Sequence, residues 1–510
     1  MLQIDGSHLT IKNIIAVARS GENVGLTPEA RRRIARSHSW VQEILLSNRP
    51  MYGVNTGFGI FSDRSIKAAD SIALNRNLIL SHAVGTGPDL PIEVVRAAML
   101  IRANTFAIGH SGVRTEIVDT LIEMLNHGVT PIIPCKGSLG SSGDLAPLSH
   151  MALVFTTDDL NLDRQSGWAY FKGKKMSGKA AMLAVNIPRI ILEPKEGLAL
   201  TNGATFSAAI GAIACFDSKH ILDIADISLA MSLESLLGVS AAFDARLHAA
   251  RPHPGQSYVA EKIRILTEGS SLINAGNRIQ DAYSLRCAPQ VQGAARDALT
   301  HIQEVINREI NAVTDNPLLF GSHDVVSGGN FHGESIGLVM DYLSLAVAEV
   351  GAISERRIFR ITDGKLNIGL PPMLVDSPEA AGINSGMMMP QYTAASLVLE
   401  NQNLAAPDSI HSLPTSGEQE DHNANAMTAA RHTRQIIDNV TYILAIEIYC
   451  ACRALDLRLR QMPDGQLGKV VKNVYNRIRR SVPYKPGDEW WGPEIDQVHK
   501  IILNDDFTRF

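Results

Sequence analysis

The chain predicts a mainly α fold, with a bundle of long helices at its centre and a loop-rich N-terminal region. Three observations carry that prediction. Proline is missing between Pro194 and Pro252, between Pro317 and Pro371, and between Pro414 and Pro463, so nothing there breaks a helix. Within the first interval, apolar and small residues recur at helical spacing, as at Leu222, Ala225, Leu229, Leu233 and Leu236. Alanine and the 40 glycines let such helices approach closely. These changes in texture divide the chain into an N-terminal region 1–200, a central bundle 201–460 and a peripheral helical segment 461–510.

With 45% hydrophobic and 19% charged residues, the 510-residue chain can bury a sizeable core. A formal charge of -5 and the lack of a long basic run argue against nucleic acid or an anionic membrane as partner and favour small-molecule chemistry. Five cysteines, odd in number and mostly well separated, read as reduced thiols of a cytoplasmic protein. No C-x-x-C pair and no H-E-x-x-H occur, so no metal site is expected. The opening Met1-Leu-Gln-Ile-Asp5 lacks a basic-then-apolar secretion signal. The uncharged window 197–216 has the length of a membrane span, but Thr201, Asn202, Thr205 and Ser207 make it read as a buried helix.

In chain order, Thr27-Pro28-Glu29 has the form of an N-cap followed by proline at the first helical position. Ile34, His38, Val41 and Leu45 continue that helix until Asn48–Pro50 stops it. The segment 52–59, YGVNTGFG, is glycine-punctuated and reads as a loop. Tyr52 on it is either a packing aromatic or a phenol held for proton transfer. Between 68 and 127 helical runs alternate with breaks at Gly85–Pro91 and His110–Gly112, and His82 ends the first run. A histidine there is either a partner for the helix dipole or a ligand contact. Residues 157–186 read as a small excursion containing a hairpin, and 327–334, 382–389 and 414–422 are polar, glycine-rich joints suited to site walls.

The stretch 137–147, GSLGSSGDLAP, is too small in its side chains to build a core. Its spacing fails both the nucleophile elbow G-x-S-x-G and the phosphate loop G-x-x-x-x-G-K-[ST]. An ordinary turn is one reading. In the other, the unobstructed amide of Gly143 attacks the Ser141 carbonyl carbon to close a five-membered ring, and dehydration of Ser142 leaves an electrophilic methylidene.

Seven separated motifs then carry a resemblance over nearly the whole chain: YGVNTGFG at 52–59, NLILSHAVGTG at 77–87, GSLGSSGDLAPLSH at 137–150, KEGLALTNG at 195–203, QDAYSLRCAPQV at 280–291, SGGNFHGE at 327–334 and QEDH at 419–422. In these the sequence resembles the histidine/phenylalanine/tyrosine ammonia-lyase family, most closely its histidine-selective members. The resemblance implies a fumarase/aspartase-like helical architecture and a 4-methylidene-imidazol-5-one group formed autocatalytically from Ser141, Ser142 and Gly143. It makes Tyr52 the base, which must then titrate below the usual tyrosine value of about 10. It places Asn202 and Tyr283 beside the ring, Arg286 on the substrate carboxylate, Gln280 in the polar lining and Phe331 as an apolar wall. His82 and Glu420 would contact the substrate imidazole, implying conversion of L-histidine to trans-urocanate and ammonia. A homotetramer with active sites shared between subunits is implied as well.

Two departures stand out. Serine occupies 141 where alanine is usual, and SGEQEDHNAN at 416–425 replaces the common SANQEDHVSM, adding Glu418. Three rival readings remain open: a 2,3-aminomutase that returns ammonia to the β-carbon, a lyase acting on tyrosine or phenylalanine, and an inactive helical assembly protein.

Overall fold

In a computed structural model the described residues are 1–47, 51–57, 59–61, 63–67 and 70–504. The helix stop at Asn48–Pro50, Phe58 of the glycine loop and the tail 505–510 lie outside them. The fold is mainly helical, as its sequence texture predicts. Each proline-free interval holds one long helix: Thr205–Ser235, Glu334–Thr362 and Ala426–Gln461. By packing, the chain divides into two units, one of 1–216, 302–341 and 407–431, the other of 217–301, 342–406 and 432–510.

In the first unit, the Pro28–Ser47 helix begins at the expected proline, and the Thr27 hydroxyl accepts from the Ala30 N–H at 3.2 Å. Its buried stripe includes Val41 and Ile44, which pack with Val54 and Leu319. Because Val54 belongs to the glycine loop, this cluster seats the loop that carries Tyr52. Short strand pairs trim the helices: Leu2–Ile4 lies parallel to Val24–Leu26, and Thr86–Asp89 lies antiparallel to Pro134–Lys136. The predicted hairpin is Trp168–Phe171 paired with Lys174–Ser177. Its two turn residues, Lys172 and Gly173, both have positive φ, the geometry whose twist matches the strands it joins.

The second unit is helical throughout and holds a polar seam. Glu447 is fully buried and accepts from Ser228 at 2.9 Å, Ser232 at 2.6 Å, Ser354 at 2.5 Å and the Arg357 guanidinium at 2.5 and 2.8 Å. Arg357 also donates to Gln292 at 3.2 Å, which donates to Asp226 at 2.8 Å. An isolated charge could not be buried among helices at tolerable cost, and this one has a full set of donors. The Glu334–Thr362 helix is long and apolar enough to cross a membrane, but the window that qualifies is 61% buried, and the helix carries Arg357 of this seam.

Candidate active site

The Gly137–Asp144 loop is stitched on two sides. Leu139 O accepts from the N–H groups of Ala424 at 3.2 Å and Asn425 at 2.8 Å, and Gly140 O accepts from Gly333 N–H at 2.9 Å. On the other side Gly143 and Gly203 lie backbone to backbone as a parallel bridge. Gly203 N–H donates to Ser142 O at 3.1 Å, and Asp144 N–H donates to Gly203 O at 2.9 Å. Gly143 sits at φ +81°, and a Cβ there would fall on the Gly203 main chain. Only glycine permits that approach.

Asn202 adds a second donor to Ser142 O, from its side-chain amide at 3.3 Å. Its own carbonyl accepts from Arg102 Nη2 at 2.5 Å, and the same guanidinium nitrogen donates to the Thr205 hydroxyl. Arg102 is completely buried, and burial pulls it down to about 10, so it still carries its charge at neutral pH. Asp144 has no exposure either. It accepts from Ser207 N–H at 2.8 Å, from the Ser207 hydroxyl at 2.8 and 3.0 Å, and from the Ser138 hydroxyl at 2.8 Å. Burial raises the Asp144 carboxyl above the usual carboxylate range in spite of those donors. Arg102 and Asp144 are the supports that sequence reasoning missed.

Glu420 reaches the loop from a turn closed by its pairing with Thr415, where Thr415 N–H donates to Glu420 O at 2.8 Å. Its carboxylate accepts from two neighbouring hydroxyls, Ser141 at 2.5 Å on Oε2 and Ser142 at 3.0 Å on Oε1. Glu418, flagged as an extra charge, is exposed in the same turn at φ +68°.

A cavity of about 660 Å³ lies over the loop, and Tyr52, His82, Ser142, Asn202 and Glu420 all line it. Five of the predicted site residues are thus brought together from five separate segments. Asn77 and Ser416, which sequence reasoning passed over, line it too. His82 ends the Ser71–His82 helix, with Nδ1 2.9 Å from the Ser81 hydroxyl. Burial holds its imidazole below the ordinary histidine value, although the Leu78 backbone and the Glu420 charge act the other way. Tyr52 Oη accepts from Gly59 N–H at a long 3.4 Å.

The lowered titration expected of Tyr52 is not found; its phenol lies above the usual tyrosine value. Burial pushes the phenol up, the hydrogen bond from Gly59 N–H pulls it partly back, and the Glu420 charge adds a smaller push upward. Phe331 is half-buried in a turn and is not among the residues lining the cavity. Gln280, Tyr283 and Arg286 belong to the second unit, where they form a cluster of their own. Arg286 Nη1 donates to Gln280 Oε1 at 2.7 Å, and its guanidinium stacks 4.8 Å from the Tyr283 ring centre. Buried Arg286 Nε has no hydrogen-bond partner among the described residues.

A helical fold that presents a serine-glycine loop beneath a half-buried tyrosine, histidine and carboxylate is that of a carbon-nitrogen lyase. The aromatic amino acid lyase family model matches residues 9–480, and the chain belongs to that family. It is 46% identical over 502 residues to the histidine ammonia-lyase of Symbiobacterium thermophilum, covering 98% of this chain and 96% of that protein. Identity to the histidine ammonia-lyase of Caldanaerobacter subterraneus subsp. tengcongensis is 48% over 482 residues, covering 94% and 92%. Among solved structures, histidine ammonia-lyase from Trypanosoma cruzi superposes with a TM-score of 0.89 at 35% identity, covering 99% of this chain and 94% of that one. Tyrosine aminomutase from Streptomyces globisporus gives 0.92 at 33%, covering 100% and 98%.

Proposed function

We propose that this protein is a histidine ammonia-lyase, eliminating ammonia from L-histidine to give trans-urocanate. The observation that carries the reading is the single cavity in which Tyr52, His82 and Glu420 face Ser142. The loop fits a group made from its own backbone. Gly143 leaves no room for a side chain, and Ser142 O, the carbonyl such a ring would keep, already has two donors, Gly203 N–H and the Asn202 amide. A 4-methylidene-imidazol-5-one formed from Ser141, Ser142 and Gly143 supplies an electrophilic carbon that makes the amino group a better leaving group.

The residues themselves have separable tasks. Asn202 and Gly203 place donors where charge on the Ser142 carbonyl oxygen would be stabilised, and Arg102 holds Asn202 in place. Tyr52 is the base for the β-proton. Glu420 accepts the substrate's imidazole N–H, and neutral His82 offers the ring a second polar contact. By family likeness Arg286 grips the substrate carboxylate, a task its planar guanidinium suits. By family likeness the active sites are shared between the subunits of a homotetramer, which light scattering after size exclusion tests. Five free cysteines, with burial pushing Cys215, Cys450 and Cys452 up to about 12, accord with a cytoplasmic enzyme that uses no thiol chemistry.

The test combines mass and turnover. Ring formation releases two waters, so the intact chain should weigh about 36 Da less than its sequence dictates. With L-histidine, urocanate and ammonia should accumulate in equal amounts. Tyr52→Phe should keep the mass loss and lose at least ~10²-fold in kcat. Accumulation of a β-amino acid would instead favour the aminomutase reading, to which the tyrosine aminomutase likeness lends weight. An unshifted mass together with no turnover would return the chain to the assembly-protein reading.

A further inference from the structure

The hydroxyl of Ser141 has no part in ring closure, which uses that residue's carbonyl carbon, yet it makes a 2.5 Å hydrogen bond to Glu420 Oε2. Ser142 makes the matching bond to Oε1 at 3.0 Å. The two bonds have different fates. If the ring forms as proposed above, on which this inference rests, Ser142 loses its hydroxyl as water and its bond to Glu420 with it. Ser141 keeps its own.

We propose that Ser141 is a positioning residue: in the matured site its hydroxyl holds the Glu420 carboxylate, with Oε1 turned toward the cavity to receive the imidazole N–H of the substrate. Three features of the site support this. Ser141 is buried, only 6% exposed, so its hydroxyl does not compete for bulk water. Glu420 sits in a turn that also holds positive-φ residues at 416, 417 and 418, and its backbone is fixed by Thr415, which leaves side-chain rotation as its main freedom. A donor on Oε2 removes that freedom before substrate arrives, and pre-organisation of this kind lowers the cost of binding. One serine of the pair is thus consumed to make the electrophile, while the other orients the specificity carboxylate above it.

The full-length enzyme tests this with Ser141→Ala, Glu420→Gln and the double variant, each assayed for intact mass and for KM and kcat with L-histidine. Parent and Ser141→Ala should both show the mass deficit of about 36 Da. Ser141→Ala should raise KM about tenfold, the worth of one hydrogen bond to a charged group, while kcat changes less than threefold. In the Glu420→Gln background the same serine-to-alanine change should shift KM less than about twofold, because the carboxylate it positions is gone. An unchanged KM in Ser141→Ala, or an equal rise in both backgrounds, overturns the inference. So does a Ser141→Ala chain of full mass beside a matured parent, which would make Ser141 a maturation residue. A parent of full mass defeats the proposed function itself, and this inference falls with it.

Discussion

Replacing Gly143 by alanine should separate the fold from the chemistry. The residue sits at φ +81°, where a side chain costs about 1–2 kcal/mol. More is lost through contact, since the new methyl would fall on the C, N and Cα atoms of Gly203. The two main chains must part, giving up the Gly203-to-Ser142 and Asp144-to-Gly203 hydrogen bonds at roughly 1 kcal/mol each, or more where a buried group is left unpaired. The total is about 3–6 kcal/mol. Because a chain of 510 residues unfolds with an entropy near 1 kcal/mol per degree, that amounts to only about 3–6 °C in melting temperature. The enzyme should therefore stay folded while its loop no longer brings the 143 amide and the 141 carbonyl together. Intact mass and thermal melting measure the two effects side by side. Gly140→Ala is the control. Its φ is similar at +75°, but a Cβ there meets Ala424 Cβ at 3.2 Å and Ala426 N at 3.3 Å, contacts that small shifts relieve. It should lose about 36 Da on maturation as the parent does, while Gly143→Ala keeps its full mass. A Gly143→Ala chain that sheds two waters, or a Gly140→Ala chain that does not, would refute the reasoning.

Two further changes probe what holds the units together internally. Glu234 is fully buried, accepts from Gly468 N–H at 3.0 Å, and is pushed by burial up to about 8. Its folded value lies above its unfolded one, so the folded chain holds a proton the unfolded chain releases, and that contribution to stability is lost as pH rises through about 8. Asp226, pushed up to about 6 by burial, acts with the same sign at lower pH. Denaturant midpoints should therefore fall between pH 5.5 and 9, and Glu234→Gln should remove on the order of 3 kcal/mol of that fall; an equal fall in the variant contradicts the assignment. Lys195 and Asp315 form a fully buried pair at 2.7 Å. Lys195→Met strands the carboxylate and should cost about 3–5 kcal/mol, most of it recovered by adding Asp315→Leu; equal stability of the single and double variants would show that the stranded charge is not the cause.

Much of the fold was legible because long helices announce themselves by what they lack. Proline's absence over three intervals located three helices of 31, 29 and 36 residues, since one proline inside would have cost about 3 kcal/mol. The seam around Glu447 was not legible. Its partners Ser228, Ser232, Ser354 and Arg357 lie about 90 to 220 residues away, and a charge on a helix normally means a solvated face. The site divides in the same way. Ser142, Asn202 and Glu420 were found through whole motifs, while Tyr52 and His82 alone left two readings each. Asp144 stood inside a quoted motif without a role, because its partner Ser207 lies 63 residues on. Arg102 did leave a trace, as the one charge within the mostly apolar run Ala97–Ala107, where only buried hydrogen-bond acceptors would tolerate it.

The raised titration of Tyr52 sharpens the proposed mechanism rather than weakening it. Burial keeps the phenol protonated, with the Glu420 charge adding to it, and lowers the His82 imidazole against the pull of that same charge. A positive charge brought near the phenol reverses this. At about 4 Å and an effective dielectric of 20 the attraction is worth roughly 4 kcal/mol, close to three powers of ten in proton affinity. The α-ammonium of an amino acid, or the guanidinium proposed to meet its carboxylate, can supply it. The base would then be armed by the substrate it acts on. Glu420 adds a smaller push to the phenol than burial does and, in the proposed reading, also receives the imidazole N–H, which disperses part of that charge. A phenyl ring offers Glu420 no such partner, and discrimination between the two substrates would then reach the chemical step as well as binding.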